Sequence, residues 1–172
     1  SWGNHTSVVR WNMVISPRLF ANTSVYHSLY RFKEQFENSG KQKTGQYTRS
    51  GLREFTLKSD FDLLLTGHAI KFGYQFSWQS FSPELTSVSG YTTGIAQAAV
   101  PEAEARSLSF YGEDEFIMSP LISANAGLRL LTCQSGHRTA FYPEPRLSVR
   151  VTPSDQTNLK MSVQRMVQTV HL

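Results

Sequence analysis

Residues 122–172 read ISANAGLRLLTCQSGHRTAFYPEPRLSVRVTPSDQTNLKMSVQRMVQTVHL. Three segments of this stretch keep a period of two. Ile122, Ala124, Ala126, Leu128 and Leu130 alternate with Ser123, Asn125, Gly127 and Arg129. Leu147, Val149 and Val151 alternate with Arg146, Ser148 and Arg150, and Leu159, Met161 and Val163 alternate with Lys160, Ser162 and Gln164. Successive side chains of a strand point to opposite faces, so each segment is a strand with one apolar and one polar face, a pattern no helix produces. A soluble antiparallel sheet would rest the apolar face on a core and leave the other in water. A transmembrane barrel turns the apolar face to lipid and the polar face to a wet lumen. The long segments, with Arg and Lys at one polar position after another, favour the barrel.

The same alternation recurs upstream. Residues 4–16 set Val9, Trp11, Met13 and Ile15 against Arg10 and Asn12, and Ser16-Pro17-Arg18 closes a short turn because Pro fixes φ and has no N–H to donate. Residues 19–34 return with Leu19, Ala21, Thr23 and Val25 on one face and Tyr26, Tyr30 and Phe32 on the other, which predicts a bulge or an aromatic rim. Residues 51–64 oppose Phe55, Leu57, Phe61 and Leu63 to Glu54, Thr56, Lys58, Asp60 and Asp62. After the turn signal Thr66-Gly67, residues 69–81 oppose Ile70, Phe72, Tyr74, Phe76 and Trp78 to Lys71, Gly73, Gln75, Ser77 and Gln79. Residues 106–118 read as a strand whose faces are not distinguished.

The expected fold is therefore all-β, an antiparallel up-and-down meander of about eight long strands forming part of a transmembrane β-barrel. Short connections fall at 16–18, 65–68, 119–121 and 153–157, and long polar loops at 35–50, 82–105 and 132–142. All the short turns then lie at one end, as in outer-membrane barrels. Each strand reaches the roughly 9–11 residues that a tilted crossing needs.

Composition narrows the function. Seventeen Lys and Arg against thirteen Asp and Glu give a formal charge of +4, but they are scattered without a cluster or stripe, so no nucleic acid partner is expected. The single cysteine, Cys133, excludes an internal disulfide framework. No apolar run is long enough for a membrane-spanning helix. The opening SWGNHTSVVRW starts directly on a strand pattern, so a membrane location implies a signal sequence upstream of this piece.

Taken in order, SWGNHTSVVRWN, SPRLFANTSVYHSLYRF, LREFTLKSDFD, HAIKFGYQF, SFYGEDEF, ANAGLRL, EPRLSVRV and LKMSVQRMVQTVHL resemble the β-barrel of TonB-dependent outer-membrane receptors of the Bacteroidetes type. The resemblance covers nearly the whole chain. It implies a Gram-negative outer-membrane location, contact with outer-membrane lipid and uptake of a scarce or large ligand, with energy drawn from the TonB complex through parts of the parent outside this sequence. Such receptors carry about 22 strands around a plug. This sequence has fewer strands, no plug-like stretch and no terminal aromatic residue after Val170-His171-Leu172. The resemblance therefore implies that residues 1–172 are a single interior segment of a larger barrel.

Residues that could carry chemistry have plainer explanations. Asp60 with Asp62, and Glu113, Asp114 and Glu115, are paired or clustered carboxylates of the kind used in acid–base catalysis, but a wet polar face carries such residues anyway. Cys133 and His137 sit four apart, with no further ligands nearby to complete a zinc site. His5, His27, His68 and His171 are scattered, and no serine is singled out as a nucleophile. Lys58, Lys71, Arg129, Arg146, Arg150, Lys160 and Arg165 could line an anion passage; with Glu54, Asp60 and Asp62 on the same face, cross-strand ion pairs are the expected arrangement. Trp2, Trp11, Trp78, Phe81 and Tyr142 are candidates for interfacial girdles. No catalytic residue, metal site or cofactor is expected, and the protein is not expected to be an enzyme. The ligand is unknown, and loops 35–50 and 82–105 are the candidates for contacting it. Two alternatives remain: a self-contained eight-stranded outer-membrane barrel with a structural or adhesive role, and a soluble ligand-binding barrel.

Overall fold

The computed structural model describes residues 1–38, 44–89 and 103–167. They form one eight-stranded antiparallel sheet in strict chain order, β1 (Trp2–Ser16), β2 (Leu19–Asn38), β3 (Thr44–Leu65), β4 (His68–Ser89), β5 (Ala103–Ser119), β6 (Ile122–Ser135), β7 (Arg138–Ser154) and β8 (Thr157–Gln164). The meander expected from the alternation is the one observed. The described sheet is open, with β1 and β8 as its two edges.

Residues paired across a ladder share a face. Following the register from Arg10 leads to Ser24, Lys58, Gln75, Ser109, Leu131 and Tyr142. One residue along, Val9 leads to Val25, Leu57, Phe76, Leu108, Thr132 and Phe141. The two rows face opposite ways, and the pairing settles the faces of β5. Ser107, Ser109, Tyr111, Glu113 and Glu115 join the polar face, and Leu108, Phe110 and Phe116 join the apolar one.

Burial is inverted relative to a soluble protein. Val9 is 69% exposed, Trp11 63%, Phe110 55% and Met161 77%, whereas Ser24, Thr56, Ser77, Ser109 and Glu144 of the polar face are buried. Among the described residues only Ala21, Ala124 and Leu131 are buried apolar side chains. A contiguous apolar face of this extent is a surface for lipid or a partner, since water would oppose its exposure at about 25 cal/mol for each Å². On that face the hydroxyls of Thr23 and Ser59 satisfy each other across β2 and β3 at 3.0 Å. Phe61 stacks on Phe72 with ring centroids 5.1 Å apart.

The apolar face has a definite height. It runs from Phe55 to Leu63 in β3 and from Ile70 to Trp78 in β4, about nine residues, the length of one tilted crossing. At the next position on this face stand Arg53 and Ser80. Both strands are 22 residues long, so they continue well past the band. Beyond it the ladder goes on. This accounts for three corrections. Loop 35–50 is not a loop at its ends, because pairing continues to Asn38 opposite Thr44. Loop 82–105 is strand to Ser89 and again from Ala103, with a register shift at Arg49/Gly51 opposite the stretch that holds Pro83, a residue strands tolerate at bulges. The remainders, 39–43 and 90–102, lie outside the described residues. Loop 132–142 is a tight hairpin in which Ser135 pairs with Arg138 and Gly136 takes φ +57°. Connections at the far end are thus not uniformly long.

Turn chemistry places the irregularities. Where a turn carries a positive-φ glycine, Gly67 or Gly136, the flanking ladder is unbroken, because the turn's twist suits the strands. The turns at Pro17-Arg18, Pro120-Leu121 and Asp155-Gln156 have no such residue, and each is accompanied by a register shift, at Val14/Ser16, Ile117/Ser119 and Val151/Ser154. The bulge expected within residues 19–34 is absent, because β2 pairs with β3 without interruption from Leu19 to Asn38. Tyr26, Tyr30 and Phe32 simply belong to the polar face.

Charge on the apolar face is expected to be costly in lipid. Phe72→Arg should destabilise the bilayer-embedded protein by about 2–4 kcal/mol, while Gln75→Arg on the opposite face should cost under about 1 kcal/mol. Urea titration in liposomes measures both, and equal costs would contradict the assignment of the faces.

Candidate functional site

The polar face is built in register rows. One row runs Asp62, Lys71, Glu113, Gly127, Arg146, so charge alternates in sign from strand to strand with a glycine as spacer. Its neighbour runs Asp60, Gly73, Tyr111, Arg129, Glu144. Like charges directly opposite one another would repel, and both rows avoid this.

The glycines are places where a long side chain lies across a strand. A Cβ at Gly127 would sit 2.8 Å from Cβ of Glu113 and 3.0 Å from Cγ of Arg146. Without it, Arg146 passes over Gly127 to reach Glu113, Nη1 to Oε2, at 3.3 Å. At Gly73 a Cβ would collide with the backbone oxygen of Ser59 and come within 2.7 Å of the Tyr111 hydroxyl. Tyr111 occupies that space, and Lys58 sits 5.9 Å from its ring centroid while pairing with Asp60 at 2.9 Å. These pairs are partly exposed, so each contributes only some tenths of a kcal/mol. Their effect is positional: they hold one another's side chains against the wall.

Glu144 is the exception in burial, 6% exposed between Pro143 and Pro145. Neither proline can donate to a ladder. Arg165 still donates to the Pro145 carbonyl at 3.0 Å, after which the chain leaves the sheet and the Val167 N–H donates to the Glu144 carboxylate at 2.8 Å. Arg129 lies 3.9 Å from that carboxylate and donates through Nη2 to Ser109 at 3.1 Å.

Toward the far end lies a hollow of about 380 Å³. Its lining follows the register rows, Glu54, Gln79, Ala105, Ser135 and Arg138, then Ser77, Ser107, Cys133 and Ala140, then Gln75 and Tyr142, with Arg106 and Gln134 beside them. Small side chains from β5 and β6 form the floor. The amides and carboxylate of β3 and β4 stand on one side, and Arg138 and Tyr142 of β7 on the other.

Several expected groupings are divided by the register. Glu113 and Glu115 face the polar side, but Asp114 points to the apolar face, where it accepts from or pairs with Nδ1 of His68 at 2.7 Å. Of the seven cations, Arg146 pairs across strands with Glu113, Arg129 lies near Glu144 and Lys58 pairs with Asp60 within β3, whereas Lys71, Arg150, Lys160 and Arg165 have no ion pair among the described residues, and Glu54 accepts from Thr56 and Gln79 instead. Cys133 lies on the polar face and His137 in the hairpin turn; no group of three or more His, Cys, Asp or Glu converges among the described residues. Trp11 and Trp78 are on the apolar face, but Trp2, Phe81 and Tyr142 are on the polar one, so the five do not form one girdle. His171 lies outside the described residues. Glu144 and the two glycines escaped the sequence reading, for which the flanking prolines were the one available signal.

No protein-family model and no curated protein matches this sequence. Solved structures do. The unliganded ferric citrate transporter FecA matches with a TM-score of 0.64 at 12% identity, over 94% of this chain and 27% of that one. BauA, the ferric preacinetobactin receptor from Acinetobacter baumannii, matches with a TM-score of 0.64 at 11% identity, over 92% of this chain and 29% of that one. The chain shares their fold. It spans less than a third of the length of either.

The seating of Arg146 is testable. Gly127→Val should cost about 1–3 kcal/mol by overpacking, and Arg146→Ala in the same chain should return part of that cost, a coupling of at least about 0.5 kcal/mol. Strictly additive losses in a double-mutant cycle would show that Arg146 does not cross the glycine.

Proposed function

We propose that residues 1–172 form a single segment of the wall of a TonB-dependent outer-membrane receptor in a Gram-negative bacterium, of the Bacteroidetes type that the sequence resembles. The observation that carries this reading is the inverted sheet, with an apolar face one crossing high and strands that continue beyond it. The fold shared with FecA and BauA supports it. The open edges point the same way. Val9, Trp11, Met13 and Ile15 place β1 at the depth of the apolar band, and an unpaired peptide group in hydrocarbon costs several kcal/mol. Further strands of the same barrel pair with β1 and β8 in this reading, which disfavours a self-contained eight-stranded barrel.

The segment's role is to hold lipid outside and a polar lumen inside, and no bond is made or broken in it. Energy for uptake comes from the TonB complex through other parts of the parent. Ligand contact falls to the ends of the strands beyond the band and to residues 39–43 and 90–102, within the two stretches singled out in the sequence. The two matched receptors take ferric complexes, and a scarce or large ligand of that general kind fits the same transport logic.

Two measurements test the reading. In outer membranes, cysteines placed at Gln75 and Lys71 should react with a water-soluble maleimide, while cysteines at Phe72 and Phe110 react only with a lipid-soluble one; equal labelling from water removes the membrane assignment. Growth that depends on this gene should also be lost when the host's TonB is deleted. Growth that survives the deletion would leave a passive or structural wall.

A further inference from the structure

We infer that the apolar side of the sheet carries, at its far end, a docking surface for a phosphate-bearing lipid. The phosphate sits between Arg31 and Arg53, and the acyl chains run down the band over Phe55 and Trp78. The inference rests on the wall reading above and adds a lipid partner on the side away from the lumen.

Charges that are scattered along the sequence are gathered here by register. On the apolar side, Arg53 and Ser80 are the first residues past the band, beyond Phe55 and Trp78. In β2, Leu29 stands opposite Arg53, Arg31 opposite Gly51 and Lys33 opposite Arg49. Arg31 and Arg53 are therefore diagonal neighbours on one face, roughly 7–8 Å apart. Arg31, Lys33 and Arg53 are exposed and have no ion pair among the described residues. Glu104, the acidic side chain described at this end of the face, is already paired with Arg106 at 3.4 Å. His5 and His27, on the same face, add no negative charge. Three cations are left uncompensated.

Neither the other end nor the other face is arranged in this way. Toward the short turns, the strands place only His68 and Asp114 as ionisable groups on the apolar side, and these pair with each other at 2.7 Å. On the polar side the row through Lys71 and Glu113 alternates in sign. Arg31 and Arg53 instead repel one another until an anion stands between them.

Room for that anion is built into the backbone. The row through Arg31 reads Gly3, Arg31, Gly51, Ser82, with a glycine on each side of the arginine. Among the described residues, a Cβ at Gly3 would meet nothing within 4 Å, and one at Gly51 only the Tyr30 carbonyl oxygen at 3.5 Å. At Gly73 and Gly127 a long side chain fills the gap; at Gly3 and Gly51 none does.

Planar guanidinium groups bind phosphate oxygens in a bidentate manner, and closely spaced cations suit a doubly charged group. Two residues of a strand tilted by about 45° rise about 5 Å, so Arg53 stands at headgroup depth just outside the hydrocarbon. With the short turns on the inner side, as in outer-membrane barrels, this is the outer leaflet. The exposed apolar surface directly beneath the cations selects an amphiphile over a soluble anion, because only an amphiphile covers both.

The test uses the full-length protein in a neutral detergent, with lipid binding followed by native mass spectrometry. The probes are diphosphorylated lipid A, the same lipid stripped of its phosphates, and inorganic phosphate as a competitor. The diphosphorylated lipid should bind at least about tenfold more tightly than the stripped one, and Arg31→Gln combined with Arg53→Gln should weaken it about thirtyfold. The double variant should leave the stripped lipid unaffected, and Lys160→Gln on the polar side should change neither. Equal affinity for the two lipids, an unchanged double variant, or displacement by millimolar inorganic phosphate would overturn the lipid site and leave the wall reading standing. A full-length protein that stays monomeric and lipid-free in buffer without detergent would overturn both.

Discussion

A peptide group left without a hydrogen-bond partner away from water is costly, and this constraint shapes everything else in the molecule. It is met by continuous antiparallel ladders that run from β1 to β8 in chain order. The turns extend the same pattern. The carbonyls of Arg18, Gly67 and Leu121 accept from Leu64, Ile117 and Thr152 of the next hairpin, which ties the short-turn end together. Once the ladder is continuous, period two follows, and with it the segregation of apolar from polar side chains.

The polar wall carries the consequences. A sheet offers no depth, so a long charged side chain must either project into water or lie flat across its neighbours. Gly73 and Gly127 give Tyr111 and Arg146 room to lie flat. Beyond these glycines, small side chains such as Ser77, Ala105, Ser107 and Cys133 leave a hollow.

The prolines of β7 show how a local backbone rule reaches the fold. Pro143 and Pro145 remove two donors from the side of the strand that meets β8, and the chain after Gln164 leaves the ladder and turns to the Glu144 carboxylate. That carboxylate is the most sheltered charged group in the described wall because the departing chain covers it.

The amino-acid sequence by itself determined the fold class, the strand order and the polarity of most strands, because alternation such as Ile70–Trp78 against Lys71–Gln79 is a local property that register can only confirm. It also placed the four short turns. Tertiary structure alone decided what happens where alternation stops. The extensions to Asn38 and Ser89 and the restart at Thr44 are held by backbone pairing, which leaves no regular alternation along the sequence. The same is true of the site. Which carboxylate meets which cation, and which glycine lies under which long side chain, depends on residues up to several strands apart, whose juxtaposition is a matter of register across the sheet and not of spacing along the chain.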